Sequence, residues 1–218
     1  MALSETRAAN PARIAKTKWL LPLCAAALLG AIALDTKVVT VGSDADLRQQ
    51  AFNPDRFGTE QFPAVRTYVL DKAPEAATLA AAITADKKAA IAQYGTAAGV
   101  GAVMPVTVTG TVGAGRSGIF DLSVPGLPET LRVRVQTGPA INGTDLRDVT
   151  GTVEFGAFTN QIEYQDAGSG LNRAMAAEVL DGLDREALTG KTVTVTGAFT
   201  LLNPKMWLIT PVAFEVLE

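Results

Sequence analysis

An α+β architecture is expected from this sequence: an N-terminal membrane or signal helix, a helical segment, then an OB-like antiparallel β-barrel with one helix between its third and fourth strands. Three observations predict it. Trp19–Leu34 is an uncharged run of sixteen residues. From 43 to 94 the apolar residues recur at helical spacing, and from Gly95 the pattern changes to apolar residues alternating with Thr. The later segments run three strands, a helix, two strands, the order of a five-stranded Greek-key barrel whose helix plugs one end. An open antiparallel sheet crossed by a helix fits the same order. The expected domains are 1–35, 36–98 and 99–218.

The first element is a leader. Lys16 and Lys18 precede the apolar run and Asp35 follows it, which is the pattern that the export machinery reads. The positive-inside rule keeps residues 1–18 in the cytoplasm and sends the rest across the membrane. Ala31-Ile32-Ala33 is an A-x-A site, so the leader is either cleaved after Ala33 or retained as a signal anchor. Sixteen residues span about 24 Å, short for a hydrocarbon core of about 30 Å. A buried core helix is the alternative, and the flanking charges argue against it. Cys24 follows Leu21-Pro22-Leu23, where lipoprotein processing wants a small residue, so it reads as an ordinary apolar membrane residue.

Thr36–Val41 is extended in pattern, and Ser43 with Asp46 forms a capping pair. Asn53 before Pro54 is a second helix start, an N-cap followed by proline at the first position. Gln61–Leu70 continues it. After Pro74-Glu75 an Ala-rich run reaches Tyr94 and stops at Gly95, with Leu79, Ile83, Ile91 and Tyr94 near one face. Asp86 restarts this helix after a break at Thr84-Ala85. Val103–Val112 alternates as a half-buried strand, Gly113–Gly118 is its turn, and Ile119–Val124 returns. Leu131–Val135 is a third strand, and Val149–Phe155 reads as a further one. Asn160 and Glu163 start a helix of about six turns through Tyr164, Ala167, Leu171, Met175 and Val179, ended by Thr189-Gly190. Val193–Phe199 and Trp207–Val212 are the last strands, with Asn203-Pro204 between them.

Composition narrows the chemistry. The 218 residues include no histidine and one cysteine. That excludes a Ser-His-Asp triad, a Cys-His pair, an imidazole or thiolate metal cage and an intrachain disulfide. No cofactor and no metal are expected. Residues 1–33 carry four cations (Arg7, Arg13, Lys16, Lys18) against Glu5, leaving fifteen cations against twenty-one anions in the remainder. Nucleic acid is not an expected partner of so acidic a body.

Gly113-Ala114-Gly115-Arg116-Ser117-Gly118 matches G-x-G-x-x-G by letter, but a strand follows where a phosphate site needs a helix, so it reads as a hairpin turn. Asp145, Asp148, Glu154 and Glu163 cluster in sequence, yet a carboxylate hydrolase needs two of them facing across a cleft; surface and capping roles are the expectation. Gln136–Gln161 is dense in oriented polar groups. Gln136, Arg147, Asp148, Asn160 and Gln161 are the candidate ligand or partner residues, Arg147 being a fork for a carboxylate or carbonyl. The competing reading gives these groups local work: Asn160 as an N-cap, Arg147 and Asp148 tying down a loop.

With Gly190–Gly197 (GKTVTVTG) and Ile209–Val212, the stretches GPAINGTDLRD and FTNQIEY resemble a family of predicted periplasmic lipoproteins of unknown function, often encoded beside sugar ABC transporters. The resemblance covers about residues 36–218. It implies an exported, membrane-tethered OB-like domain with a helical N-terminal part and brings no catalytic residues. Thr36 stands before Lys37-Val38-Val39, where the family has its lipidated cysteine, which leaves the apolar segment as the expected tether. The expected role is a non-enzymatic accessory or binding protein, anchored in the inner membrane by residues 19–34. Its expected partners are a sugar or components of an ABC uptake system. A structural envelope module without a small-molecule pocket and a carboxylate-based glycan hydrolase are the alternatives.

Overall fold

The computed structural model describes residues 11–36, 52–99 and 101–217. The chain divides into two compact units, 1–51 and 52–218. In the first, α1 (Pro11–Asp35) is a helix with Pro22 in its interior. Among the described residues no helix is long and apolar enough to cross a membrane. The expected transmembrane helix is therefore not supported. The extended segment at 37–41 and the Ser43–Asp46 cap lie outside the described residues.

The second unit begins with α2 (Pro54–Lys72), where the Asn53 side chain accepts hydrogen bonds from the Asp55 and Arg56 amides at 3.0 Å each. This satisfies donors that the helix itself cannot. α3 (Ala76–Ala85) and α4 (Lys87–Tyr94) are one Ala-rich run broken at Asp86, whose φ of −154° is extended and whose carboxylate caps α4.

The strands are β1 (Thr96–Ala97), β2 (Ala102–Arg116), β3 (Ile119–Ser123) and β4 (Arg132–Gln136), then β5 (Thr192–Thr200) and β6 (Met206–Leu217). Between β4 and β5 lie α5 (Asp145–Asp148) and α6 (Gln161–Met175), the latter continued by a π-turn over Ala176–Leu180. The pairing order is β1-β2-β3-β4-β6-β5, and β2 also pairs with β5. The circuit β2–β3–β4–β6–β5 thus returns to β2. Within this circuit only the β4–β6 pairing is parallel.

The long strands alternate in period two and bury both faces. Met104, Val106, Val108, Val133, Val135, Val193 and Val195 meet inside the circuit around Trp207, whose ring stacks on Phe199 with centroids 4.7 Å apart. From the opposite faces Val103, Ala198 and Val212 pack against Phe62, Val65 and Val69 of α2 and Leu171 and Met175 of α6. Helices α2 and α6 touch backbone to backbone. A Cβ on Gly58 would lie 2.2 Å from the Gly170 oxygen, and one on Gly170 would lie 1.9 Å from the Pro54 oxygen. Arg173 Nε reinforces the seam at 2.6 Å from Asp55 Oδ1.

Three expectations are corrected. The Gly113–Gly118 turn is confined to Ser117-Gly118, both at positive φ (52° and 73°), the backbone of a two-residue hairpin; β2 runs on to Arg116, and Gly115 leaves room for the Phe120 ring. Val149–Phe155 is not a strand, because Gly151 turns the chain at φ +68° and a 3-10 turn follows at Phe155–Ala157. The helix begun at Asn160 stops at Leu180, before Gly182 at φ +92°, rather than at Thr189-Gly190.

Candidate functional site

The Asn142–Tyr164 segment is a connection that its own side chains hold in place. Gly143, at φ +100°, turns the chain into the single turn of α5. Asp145 there is 8% exposed and accepts hydrogen bonds from the hydroxyls of Thr200 on β5 and Thr210 on β6, the latter at 3.0 Å. Thr210 Oγ1 in turn accepts from Gln136 Nε2 at 2.9 Å, and the same Gln136 amide exchanges hydrogen bonds with the Asn142 backbone. A continuous polar chain therefore runs from Asn142 through Gln136 and Thr210 to Asp145 and Thr200. Burial pushes the Asp145 carboxyl above its ordinary value, opposed by the Thr200 and Thr210 hydrogen bonds.

Beside it, Arg147 forks onto Asp148, with Nε to Oδ1 at 2.7 Å and Nη2 to Oδ2 at 3.0 Å. Its Nη1 donates to the Tyr164 carbonyl at 3.0 Å, and its guanidinium carbon lies 3.6 Å from the Tyr164 ring centroid. Thr144 Oγ1 donates to the second Asp148 oxygen at 2.7 Å. Burial, first among the causes, raises the Tyr164 phenol above its ordinary value. Every charged group here has its partners inside the fold.

These residues form one wall of a cleft of about 600 Å³. Thr144, Asp145, Arg147 and Asp148 supply its polar side, while Ala98, Leu202 and Leu208 supply an apolar side. A recess of about 250 Å³ shares Ala98, Gly99, Arg147 and Asp148 and extends to Tyr164. The arrangement is a mostly apolar slot with a few fixed polar groups on one wall, the character of a small-molecule site.

Of the sequence candidates, the structure brings Arg147 and Asp148 to the cleft wall and places Gln136 behind it, 1% exposed. Asn160 is elsewhere employed: its side chain accepts from the Ile162 and Glu163 amides, capping α6. Gln161 is an exposed residue of the first turn of that helix and does not line the cleft. Sequence reasoning named Asp145 only among the clustered acids, with a surface or capping role expected, whereas it is buried; it missed Thr200, Thr210 and Tyr164. Asp145 stands in the same GTDLRD stretch; nothing local marks Thr200 or Thr210, which are 55 and 65 positions away from it. Among the described residues no group of three or more His, Cys, Asp or Glu could hold a metal.

A family described as predicted periplasmic lipoprotein (DUF2291) matches residues 23–215. The crystal structure of an OB-fold protein from Thermotoga maritima is similar to this chain with a TM-score of 0.61 and 18% identity. The match covers 77% of this chain and 99% of that one, and it establishes the likeness of fold. No curated protein matches the chain.

Proposed function

Because the chain belongs to the DUF2291 family of predicted periplasmic lipoproteins, we propose that it is a non-enzymatic, periplasm-facing binding or accessory protein, tethered to the inner membrane through residues 19–34. Its cleft takes a small solute, a sugar being the class we favour, on behalf of an ABC-type uptake system. One observation carries this reading: a slot of about 600 Å³ whose polar wall is fixed in advance by hydrogen bonds. Side chains already held in place lose little freedom when a ligand arrives. The membrane end has a chemical constraint of its own. Cys24 is the chain's one thiol, so a lipid of the kind the family description implies has no other side chain to occupy.

Calorimetric titration of the full chain with a panel of neutral sugars tests the cleft. Leu202→Trp, on the exposed side of the slot (63% exposed), fills the space without touching the polar wall. It is expected to abolish binding with little change in melting temperature; unaltered binding would refute the site. Metabolic labelling with a fatty acid tests the tether: Cys24→Ser loses the label where lipid is the anchor, and membrane retention without any label leaves the apolar helix as anchor.

A second reading has an observation in its favour. Asp145, with its carboxyl raised by burial, and Asp148 line the same cleft, as the two carboxyl groups of a glycan hydrolase would. Against it, the Asp145 oxygens are engaged by two threonines and the Asp148 oxygens by Arg147 and Thr144. Turnover of an envelope glycan that disappears in Asp145→Asn would establish this second reading.

A further inference from the structure

A second recess lies on the strands and shares no lining residue with the cleft. Phe120, Leu122, Val133 and Val135 are buried, so the residues alternating with them, Asp121, Arg132 and Arg134, face outward from β3 and β4. Arg116 ends β2 beside the Ser117-Gly118 turn. These four side chains, with Ala114 and Gly115 beside them, line a recess of about 460 Å³.

The charges in this recess do not balance. Asp121 and Arg134 stand directly opposite each other in the β3–β4 register, yet the Asp121 carboxylate is taken by Arg132. Arg132 Nε reaches Oδ1 and its Nη2 reaches Oδ2, both at 2.9 Å. That hydrogen bond is the main cause holding the Asp121 carboxyl below its ordinary value. Arg134 is left over: its Nε is shielded from solvent and has no hydrogen-bond partner among the described residues. Nor does Arg116 pair with a carboxylate among them. Three guanidinium groups thus face one carboxylate, on a body in which anions outnumber cations. A guanidinium with no acceptor inside the fold keeps its donors available for one from outside.

We propose that this recess is an oxyanion-binding site for the carboxylate or phosphate group of a small ligand. The Arg134 guanidinium grips the two oxygens, Arg116 adds charge from the hairpin tip, and Arg132 is held by Asp121 as the fixed side of the recess. The planar fork of arginine matches both oxyanions. A sugar acid and an anionic phospholipid headgroup offer this same chemistry, and the test separates them.

The full chain is reconstituted in phosphatidylcholine nanodiscs with isotope-labelled arginine, and the Arg134 Nε–H resonance is followed by NMR. The additions are glucuronate, inorganic phosphate, or phosphatidylglycerol in the disc. A shift with glucuronate or phosphate identifies a soluble oxyanion, and a shift with phosphatidylglycerol alone identifies the lipid headgroup. No shift with any of the three overturns the proposal. Affinity for the responding ligand is expected to fall about tenfold or more in Arg134→Gln and in the same direction, less, in Arg116→Gln. Asp121→Asn releases Arg132 and is expected to tighten binding. Because an unfolded protein cannot bind more tightly, that gain separates charge from folding. Undiminished binding in Arg134→Gln, or weakened binding in a folded Asp121→Asn, overturns the proposal.

Discussion

The wall of the cleft and the outer face of β2–β4 use charge in opposite ways. Around α5, Asp145, Arg147 and Asp148 are each bonded to partners within the fold, and Asp145 and Arg147 are almost wholly buried. On the strands, Arg116 and Arg134 stand outward without a carboxylate among the described residues, and the one acid there is committed to Arg132. The first arrangement holds a loop in shape. The second leaves electrostatic capacity for something else. Polar residues near each other in sequence therefore say little about ligand contact until their internal partners are known.

The contrast breaks most visibly at Arg147. Arg147→Ala leaves Asp148 partly buried without its fork and is expected to destabilise the body by about 3 kcal/mol. That lowers the thermal midpoint by on the order of 10 °C; a shift of a degree or two would show the wall to be less committed than its geometry indicates. Asp145 gives a smaller, pH-dependent effect. Its folded carboxyl titrates above the ordinary value of 3.8, for which desolvation is the first cause. The stability linked to it is thus fully present below about pH 4 and is lost as pH rises through the raised folded value. Asp145→Asn should flatten that slope in denaturant midpoints measured across the acid range, while changing neutral-pH stability by less than about 1 kcal/mol. An unchanged slope would mean that another group supplies it. At the far end, Arg134→Gln should stay within about 0.5 kcal/mol of the parent in urea, since the Asp121 carboxylate takes its hydrogen bonds from Arg132 and is influenced by Arg134 only through space. A larger loss would erase the difference between the two regions.

Local signals were legible in the residues. Asn53-Pro54 and Asn160 announced helix starts because a capping side chain acts on amides two and three positions on. The Val/Thr alternation after Gly95 announced strands, and their order agrees with the likeness to an OB-fold protein. What failed depended on single glycines. Gly151 and Gly182, both at positive φ, ended a supposed strand and a helix where composition alone showed no stop, and Gly115 let β2 continue where a turn was expected. The candidate site was half legible. Arg147 and Asp148 do stand together at the cleft, but Asn160 caps a helix, which is the other reading its pattern allowed, and Gln161 stands in the first turn of that helix. Thr200 and Thr210 were invisible because a hydroxyl on a strand acquires meaning only once β5 and β6 are brought beneath α5.

The glycine contact between α2 and α6 has a mechanical consequence. A pull transmitted along the chain from its N-terminal side enters the body at Phe52, whose ring packs on Phe57 and Phe158, two residues before Pro54, whose carbonyl oxygen lies against Gly170. The first turn of α2 is pinned there to the middle of α6, whose Leu171 and Met175 pack on the strands. Traction on α2 is therefore passed to α6 and to the strands behind it.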